Sequence, residues 1–385
     1  MHETGAILLQ LFVIFVAAQV GAELAQRLKL PGVVGEIVAG CLVGPSVLGW
    51  VHESEALDVL AEIGVVLLLF SVGLETRLDD LKKVGKSAFL VGVLGVIIPF
   101  LLGTLWAHAS GYDWNKSLFL AAAFVATSAG ITARVLQELG ALQRVESRVI
   151  LGAAVIDDIL AMLLLGVVTS LQAGGELKLG SLALVLVEAV GFIAVIGWVG
   201  TRVMRNKSHW LDKPRHPLSP LTIVLALCLG LAYLSTEFGL AAIIGAFLAG
   251  MIASETSQRE TLEHQTQPLL ALLTPFFFVI TGTKVSLALL GSRDALVMLA
   301  IVTVIAIVSK LAGGFLGALS LGKRSALIVG VGMIPRGEVG VVIASLGLAA
   351  GVFSDKTYAV IVAMSLLTAM ITPPVLSLLL KRSNS

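Results

Sequence analysis

Charge is what this sequence has least of. Of its 385 residues only 13% are Asp, Glu, Lys or Arg, about half the share of a water-soluble domain, which excludes an ordinary soluble fold of this length. There are two cysteines, Cys41 and Cys228, both inside apolar runs with no second Cys or His at ligand spacing, so neither a disulfide framework nor a zinc site is expected. Basic runs interleaved with aromatics are missing and the net charge is +1, so nucleic acid is not an expected partner. No Walker-type glycine loop occurs, and the chain is expected to use no nucleotide and no cofactor. The first apolar stretch follows only His2 and Glu3, without the basic flank and small-residue cleavage site of a signal peptide, and is read as a helix.

What fills the chain instead is apolar sequence: 57% of residues are hydrophobic, and the mean hydropathy is +0.99. A bilayer crossing takes roughly 20 mostly apolar residues, and polar punctuation divides the chain into spans near 6–26, 33–49, 57–75, 87–108, 117–139, 148–171, 180–203, 218–237, 239–254, 268–287, 294–319, 324–349 and 356–381. The expected fold is an all-α integral membrane protein of about thirteen transmembrane helices with no separate soluble domain. Of the 26 basic residues, eighteen fall in the loops after spans 1, 3, 5, 7, 9 and 11 and in the tail, against five on the opposite side: Lys116, Lys178, Lys284, Arg293 and Lys356. The positive-inside rule then predicts an outside N-terminus and a cytoplasmic C-terminus.

The chain also repeats itself. Val33 to Leu42 lines up with Ile243 to Ile252 at an offset of 210, Gly73 with Gly282 at 209, and Thr127 to Gly140 with Ile334 to Gly347 at 207. Chance matches of Gly and Leu are common in such a composition, but a shared offset across three segments is not. The matched segments lie seven spans apart, an odd number, so the two halves are predicted to be inverted in the membrane. That architecture belongs to secondary transporters, whose site lies at the repeat interface near the midplane.

Three features carry chemistry. Asp157 and Asp158 are adjacent in the middle of the apolar run Gly152 to Leu160; each carboxylate costs roughly 2.5–3.5 kcal/mol at the bilayer centre, and no packing role needs that. Neighbours on a helix point about 100° apart, so one can face a partner helix while the other faces a water-filled cavity. Lys310 is the only lysine deep in a span; a buried ammonium seeks a carboxylate, with Asp157 or Asp158 the natural partner, either at a functional site or in a purely structural salt bridge. Spans 5 and 12 look interrupted, at Ala126-Thr127-Ser128-Ala129-Gly130 and at Met333-Ile334-Pro335-Arg336-Gly337-Glu338. Pro335 removes a helical hydrogen bond and the glycines tolerate unwinding. Two broken helices at matched positions would meet at the midplane and offer freed carbonyls and helix ends to an ion, with Arg336 and Glu338 placed to offset the helix-end charges. Thr127 and Ser128 are otherwise read as hydroxyls bonded back to their own helix. Glu36, Glu62, Glu75 and Glu188 fit a lining funnel and an interfacial position equally well, and Arg134 with Glu138 forms a structural i, i+4 pair.

The Asp157-Asp158 pair, the run from Thr127 to Gly140, Lys310, the element Pro335 to Gly340 and the run Leu69 to Glu75 together resemble the bacterial monovalent cation:proton antiporters of the NapA type, essentially end to end. The resemblance implies an inverted-repeat antiporter fold with two broken crossing helices, and a homodimer. It implies dimerisation-domain helices at 1–85 and 211–290, core-domain helices at 86–172 and 291–385, and a linker helix at 173–210. It further implies that Asp158 binds the cation or a proton while Asp157 pairs with Lys310 when the ion is absent, and that the cation ligands are Asp158, Asp157 and Thr127. Related potassium efflux systems append a nucleotide-binding gating module, which is not expected here.

The expected function is therefore exchange of sodium or lithium for protons across the cytoplasmic membrane, with the sodium ion, protons and the lipid bilayer as partners. Proton and dehydrated sodium would compete for a partly desolvated Asp158, with two protons per sodium. A potassium/proton antiporter on the same scaffold is the alternative. An intramembrane aspartyl protease needs two carboxylates close enough to share a proton, usually from two helices, which adjacent residues do not provide. A channel is the other rival, separated by saturable turnover with obligatory proton counterflow.

Overall fold

Apolar runs punctuated by Gly, Pro and N-capping residues fold as the hydropathy pattern predicts, into helices. The computed structural model describes residues 2–52, 54–172, 179–207, 218–286 and 288–381. Among them are fifteen α-helices: α1 (His2–Arg27), α2 (Gly32–Val43), α3 (Glu55–Leu74), α4 (Leu78–Ala109), α5 (Trp114–Ala123), α6 (Ala129–Glu138), α7 (Val145–Gln172), α8 (Leu179–Lys207), α9 (Ser219–Glu237), α10 (Ala242–Ala253), α11 (Arg259–Thr283), α12 (Arg293–Gly317), α13 (Lys323–Gly332), α14 (Glu338–Ala349) and α15 (Asp355–Lys381). Nine of these are long and apolar enough to cross a membrane by length and composition. The two interrupted spans are the pairs α5/α6 and α13/α14. Lys178, Lys213, Arg215 and Arg382, which entered the loop-charge count, lie outside the described residues.

Side-chain caps set several helix starts. Ser54 accepts from the Leu57 N–H at α3, Asp113 from the Lys116 N–H at α5, and Ser292 from the Ala295 N–H at α12, each removing one of the orphan donors of a first turn.

The internal repeat is present in the helix boundaries themselves. Helix α10 begins and ends 210 residues after α2, and α13 begins and ends 209 residues after α5. The breaks at 124–128 and 333–337 also differ by 209, so the sequence match of Thr127 with Ile334 was two residues out of register. Shared Gly and Leu had drawn it there. Packing repeats with the boundaries: α1 lies on α2 as α9 lies on α10, and α4 on α5 as α12 on α13. Helix α8 falls between the two sets of seven.

Glycine permits the closest crossings, again in matched pairs. A Cβ on Gly250 of α10 would collide with the Phe70 carbonyl of α3 and come within 2.8 Å of the Gly73 Cα; a Cβ on Gly282 of α11 would collide with the Ile37 carbonyl of α2 and come within 2.9 Å of the Gly40 Cα. Both contacts are to backbone, which cannot rotate away, so these helices pack at this distance only without side chains.

Contacts sort the helices into two groups. Helices α1, α2, α3, α9, α10 and α11 pack chiefly on one another, as do α4, α5, α7, α12, α13, α14 and α15, while α8 touches α7 and α10 and α6 touches members of both. The seam between the groups passes the middle of α7.

Candidate functional site

The two helix breaks meet. Ile334 precedes a proline and is biased away from helical backbone, and Pro335 offers no N–H to continue α13. Its freed carbonyl accepts the Ser128 N–H at 2.8 Å, which ties one broken segment to the other. Two residues on, a Cβ at Gly337 would lie 2.5 Å from Ser128 Oγ, so the crossing needs glycine there. Below it Thr132 Oγ1 donates to the Gly332 carbonyl at 2.8 Å. No proline breaks α5 from α6. That interruption is held by its partners, including the Thr127 N–H donated to Asp157 Oδ2 at 3.0 Å.

Asp157, Lys310 and Arg336 are all 0% exposed. Lys310 Nζ is ion-paired with Asp157 Oδ1 and donates to the carbonyls of Gly95 at 2.7 Å and Val125 at 2.6 Å, so each of its three protons has an acceptor. Arg336 donates to the Ala306 carbonyl at 3.1 Å and to the Ala126 carbonyl at 3.5 Å, and its own N–H goes to Thr368 Oγ1 at 3.1 Å. The charges match the helix ends they meet. Both cations sit on carbonyls leaving the C-terminus of α5, the negative end, and the Asp157 carboxylate sits on an N–H just before α6, the positive end.

Asp158 is only part-buried and points elsewhere. It lines a cavity of about 10 Å³ with Leu69 of α3, Ala129 of α6, Leu151, Ala154 and Val155 of α7, and Ile243, Ile244 and Phe247 of α10, room for about one water-sized particle. This is the seam between the two helix groups. The adjacent carboxylates thus occupy different environments, one sealed against a lysine and the other facing a gap between bodies. Lys310 lies within electrostatic reach of Asp157, Asp158 and Arg336, and Arg336 within reach of Asp157, two charges of each sign when all are ionised.

Thr127 is buried beside Asp157, and its Oγ1 has no hydrogen-bond partner among the described residues, an unusual state for a buried hydroxyl. Ser128 meets Pro335 and Gly337. Glu338 opens α14; its side chain lies outside the described residues. Of the other acids, Glu36 is buried in α2, Glu62 and Glu188 are exposed, and Glu75 accepts from Gln137 Nε2 at 3.4 Å. Arg134 and Glu138 pair at 3.0 Å, and Glu138 also accepts the Gly32 N–H at 3.0 Å, joining α6 to α2. Sequence reasoning missed the carbonyl cage around Lys310. Its members Gly95 and Val125 are 215 and 185 residues away, and a backbone oxygen leaves no residue-type signature. Gly95 gave no signal of its own either, since a Cβ there would meet Lys310 Nζ at 3.5 Å, an ordinary contact distance.

Comparison with known proteins agrees with this architecture. The family described as sodium/hydrogen exchanger, transmembrane, matches residues 12–382. The chain is 36% identical to the high-affinity Na(+)/H(+) antiporter NhaS3 of Synechocystis, over 96% of this chain and 88% of that one. It is 36% identical to the Na(+)/H(+)-K(+) antiporter GerN of Bacillus cereus, over 95% and 94%, and 28% identical to the K(+)/H(+) antiporter subunit KhtU of Bacillus subtilis, over 87% and 84%. Among solved structures, the sodium proton antiporter MjNhaP1 of Methanocaldococcus jannaschii superposes with a TM-score of 0.72 over 97% of this chain and 94% of that one, at 17% identity, a likeness of fold. With the family matched along nearly its whole length, this chain belongs to the sodium/hydrogen exchangers: it is a multi-pass membrane protein, a cation/proton antiporter and not an enzyme.

Proposed function

We propose that the protein exchanges sodium for protons at Asp158, with Asp157, Thr127 and Lys310 completing the site, and that two protons move per sodium. The observation that carries this reading is the division of labour between adjacent acids: Asp157 is locked to Lys310 while Asp158 faces the seam. Sodium entering from the seam meets Asp158 first. The Thr127 hydroxyl, without a partner among the described residues, and the Asp157 carboxylate are the next oxygens of the hard, oxygen-only kind such a cation takes.

The charge balance follows. Drawing Asp157 toward sodium takes one of three acceptors from Lys310, leaving an ammonium donor orphaned in a dry site, a cost relieved by losing the proton. In the proton-loaded form Asp158 and Lys310 each hold a proton, and the four-residue cluster carries one net positive charge. In the sodium-loaded form both protons are gone, and the cluster with its ion is neutral. One charge then crosses per cycle, worth about 2.3 kcal/mol per 100 mV, so an inside-negative potential expels sodium. Had Lys310 kept its proton, both forms would carry the same charge and exchange would be electroneutral.

The movement we assign is of the group built on α4–α7 and α12–α15 against the group of α1–α3 and α9–α11, with α8 linking them. The second group would form a homodimer in the bacterial inner membrane, N-terminus outside and C-terminus in the cytoplasm. Potassium is the competing cargo, favoured by the names of GerN and KhtU. Proteoliposomes with an internal pH dye and an imposed proton gradient test the choice: sodium or lithium should dissipate the gradient at concentrations where potassium does not. A response to potassium alone would reassign the cargo.

A further inference from the structure

The face that the loop-charge count puts outside is poor in basic residues, yet three of its five converge. Lys116 from the start of α5, Arg293 from the start of α12 and Lys356 from the start of α15 line one cavity of about 450 Å³. Of the other two, Lys284 is paired with Asp58 at 3.2 Å, and Lys178 lies outside the described residues. One acid, Asp294, lines the same cavity; it is 91% exposed and reaches Lys356 only at 4.0 Å. Asp113 nearby is turned back onto the Lys116 N–H as the α5 cap. Arg293 has no ion-pair partner among the described residues, and Lys116 lies over the Tyr112 ring at 4.5 Å. The lining therefore carries a net charge of two positives.

The cavity is amphipathic in a directed way. Trp106 and Tyr112 line it, side chains suited to the level of lipid headgroups. Val297 and Ile301 line it too, 51% and 41% exposed, and the same stripe of α12 runs on through Val304 and Val308, 59% and 53% exposed, at i, i+4, i+7 and i+11 on one helix face. A ligand that fits has a phosphate at one end and an apolar chain leaving along α12.

We propose that this cavity seats the phosphate headgroup of one anionic phospholipid, with an acyl chain lying on the Val297–Val308 stripe. Headgroup contacts come from α5, α12 and α15, all of the helix group that carries Asp157 and Lys310, so the lipid travels with that group and clamps its helix starts together. A zwitterionic headgroup offers no net charge to a cluster of net charge two and should bind far more weakly.

The test uses delipidated, detergent-purified protein and native mass spectrometry, titrated separately with phosphatidylglycerol, phosphatidylcholine and inorganic phosphate. The wild type should bind one phosphatidylglycerol that the Lys116→Gln/Arg293→Gln/Lys356→Gln variant binds at least tenfold more weakly, and at a hundredfold excess over the wild-type Kd that lipid should raise the melting temperature by about 3 °C in the wild type and by no more than about half of that in the variant. Arg293→Gln alone, at an exposed helix start, gives a milder loss and serves if the triple variant does not fold. Equal phosphatidylglycerol binding by wild type and variants overturns the site. Equal binding of phosphatidylcholine reduces it to an apolar groove, and inorganic phosphate binding as tightly as the lipid reduces it to a free-anion site; either result overturns the assignment.

Discussion

Replacing Lys310 with alanine strips the Asp157 carboxylate of its one salt-bridging partner among the described residues. Asp157 is 0% exposed and keeps just the Thr127 N–H among the bonds described above. The Gly95 and Val125 carbonyls lose their donor as well. Breaking one partner of a buried pair costs about 3–5 kcal/mol, because the survivor is left as an uncompensated charge. Taking about 2.1 cal/mol/K of unfolding entropy per residue over the chain, the melting temperature falls by about 4–6 °C. Helices that stay formed in detergent lower that entropy, which makes this shift a minimum. The double variant Lys310→Met/Asp157→Leu replaces both charges with apolar side chains of similar size and should recover much of the loss, since a buried pair replaced by apolar groups of matching volume is often neutral. The assay is thermal unfolding of purified protein in detergent, wild type beside the two variants. If Lys310→Ala melts with the wild type, or the double variant melts no higher than Lys310→Ala, the pair does not hold the site together and the reasoning fails.

Other expectations rest on separate observations. Thr127→Val removes a hydroxyl that has no partner among the described residues, so the melting temperature should hold while the sodium KM rises about tenfold, the worth of one hydrogen-bond-strength contact; an unchanged KM would exclude Thr127 as a ligand. Proton and sodium compete for one carboxylate, so the apparent sodium KM should rise as pH falls with little change in maximal rate, read from the pH-dye signal over a series of buffers; a KM independent of pH would contradict competition. Gly250→Leu and its repeat mate Gly40→Leu should each destabilise by more than the 1–3 kcal/mol of ordinary overpacking, since their contacts are backbone; melting curves would show it, and a tolerated Gly250→Leu would mean that α3 and α10 do not pack this closely. With two protons per sodium, exchange in proteoliposomes should respond to a potassium-valinomycin clamp and give a transient current on a solid-supported membrane, whereas exchange without current would leave the antiport and remove the stoichiometry.

Much of this was legible in the sequence because the bilayer restricts the possibilities. Apolar length sets helices, and a charge inside an apolar run has no cheap explanation, so Asp157, Asp158 and Lys310 stood out before any coordinate was known. The inverted repeat was legible at Gly40, Gly73, Gly250 and Gly282 because close helix crossings demand the same small residue in both halves. The two-residue slip at the helix breaks has the opposite cause: backbone geometry sets the correspondence of Ser128 with Gly337, and residue identity does not. The acceptors around Lys310 and Arg336 were hidden for the same reason. They are carbonyls of Gly95, Val125, Ala126 and Ala306, and only the fold brings them near. Which acid met Lys310 was open at the level of residue chemistry, since the 100° between neighbours says that they differ without saying which one turns inward.

The most direct test of the account is sodium-driven proton movement by Asp158→Asn, set beside the wild type in proteoliposomes at matched protein content. Asparagine keeps the size and loses the titratable charge at the seam, so the variant should melt close to the wild type and show no sodium-dependent change in the internal pH signal at any sodium concentration. A folded Asp158→Asn protein that still dissipates a proton gradient when sodium is added would contradict the central claim, because exchange would then run through some other group.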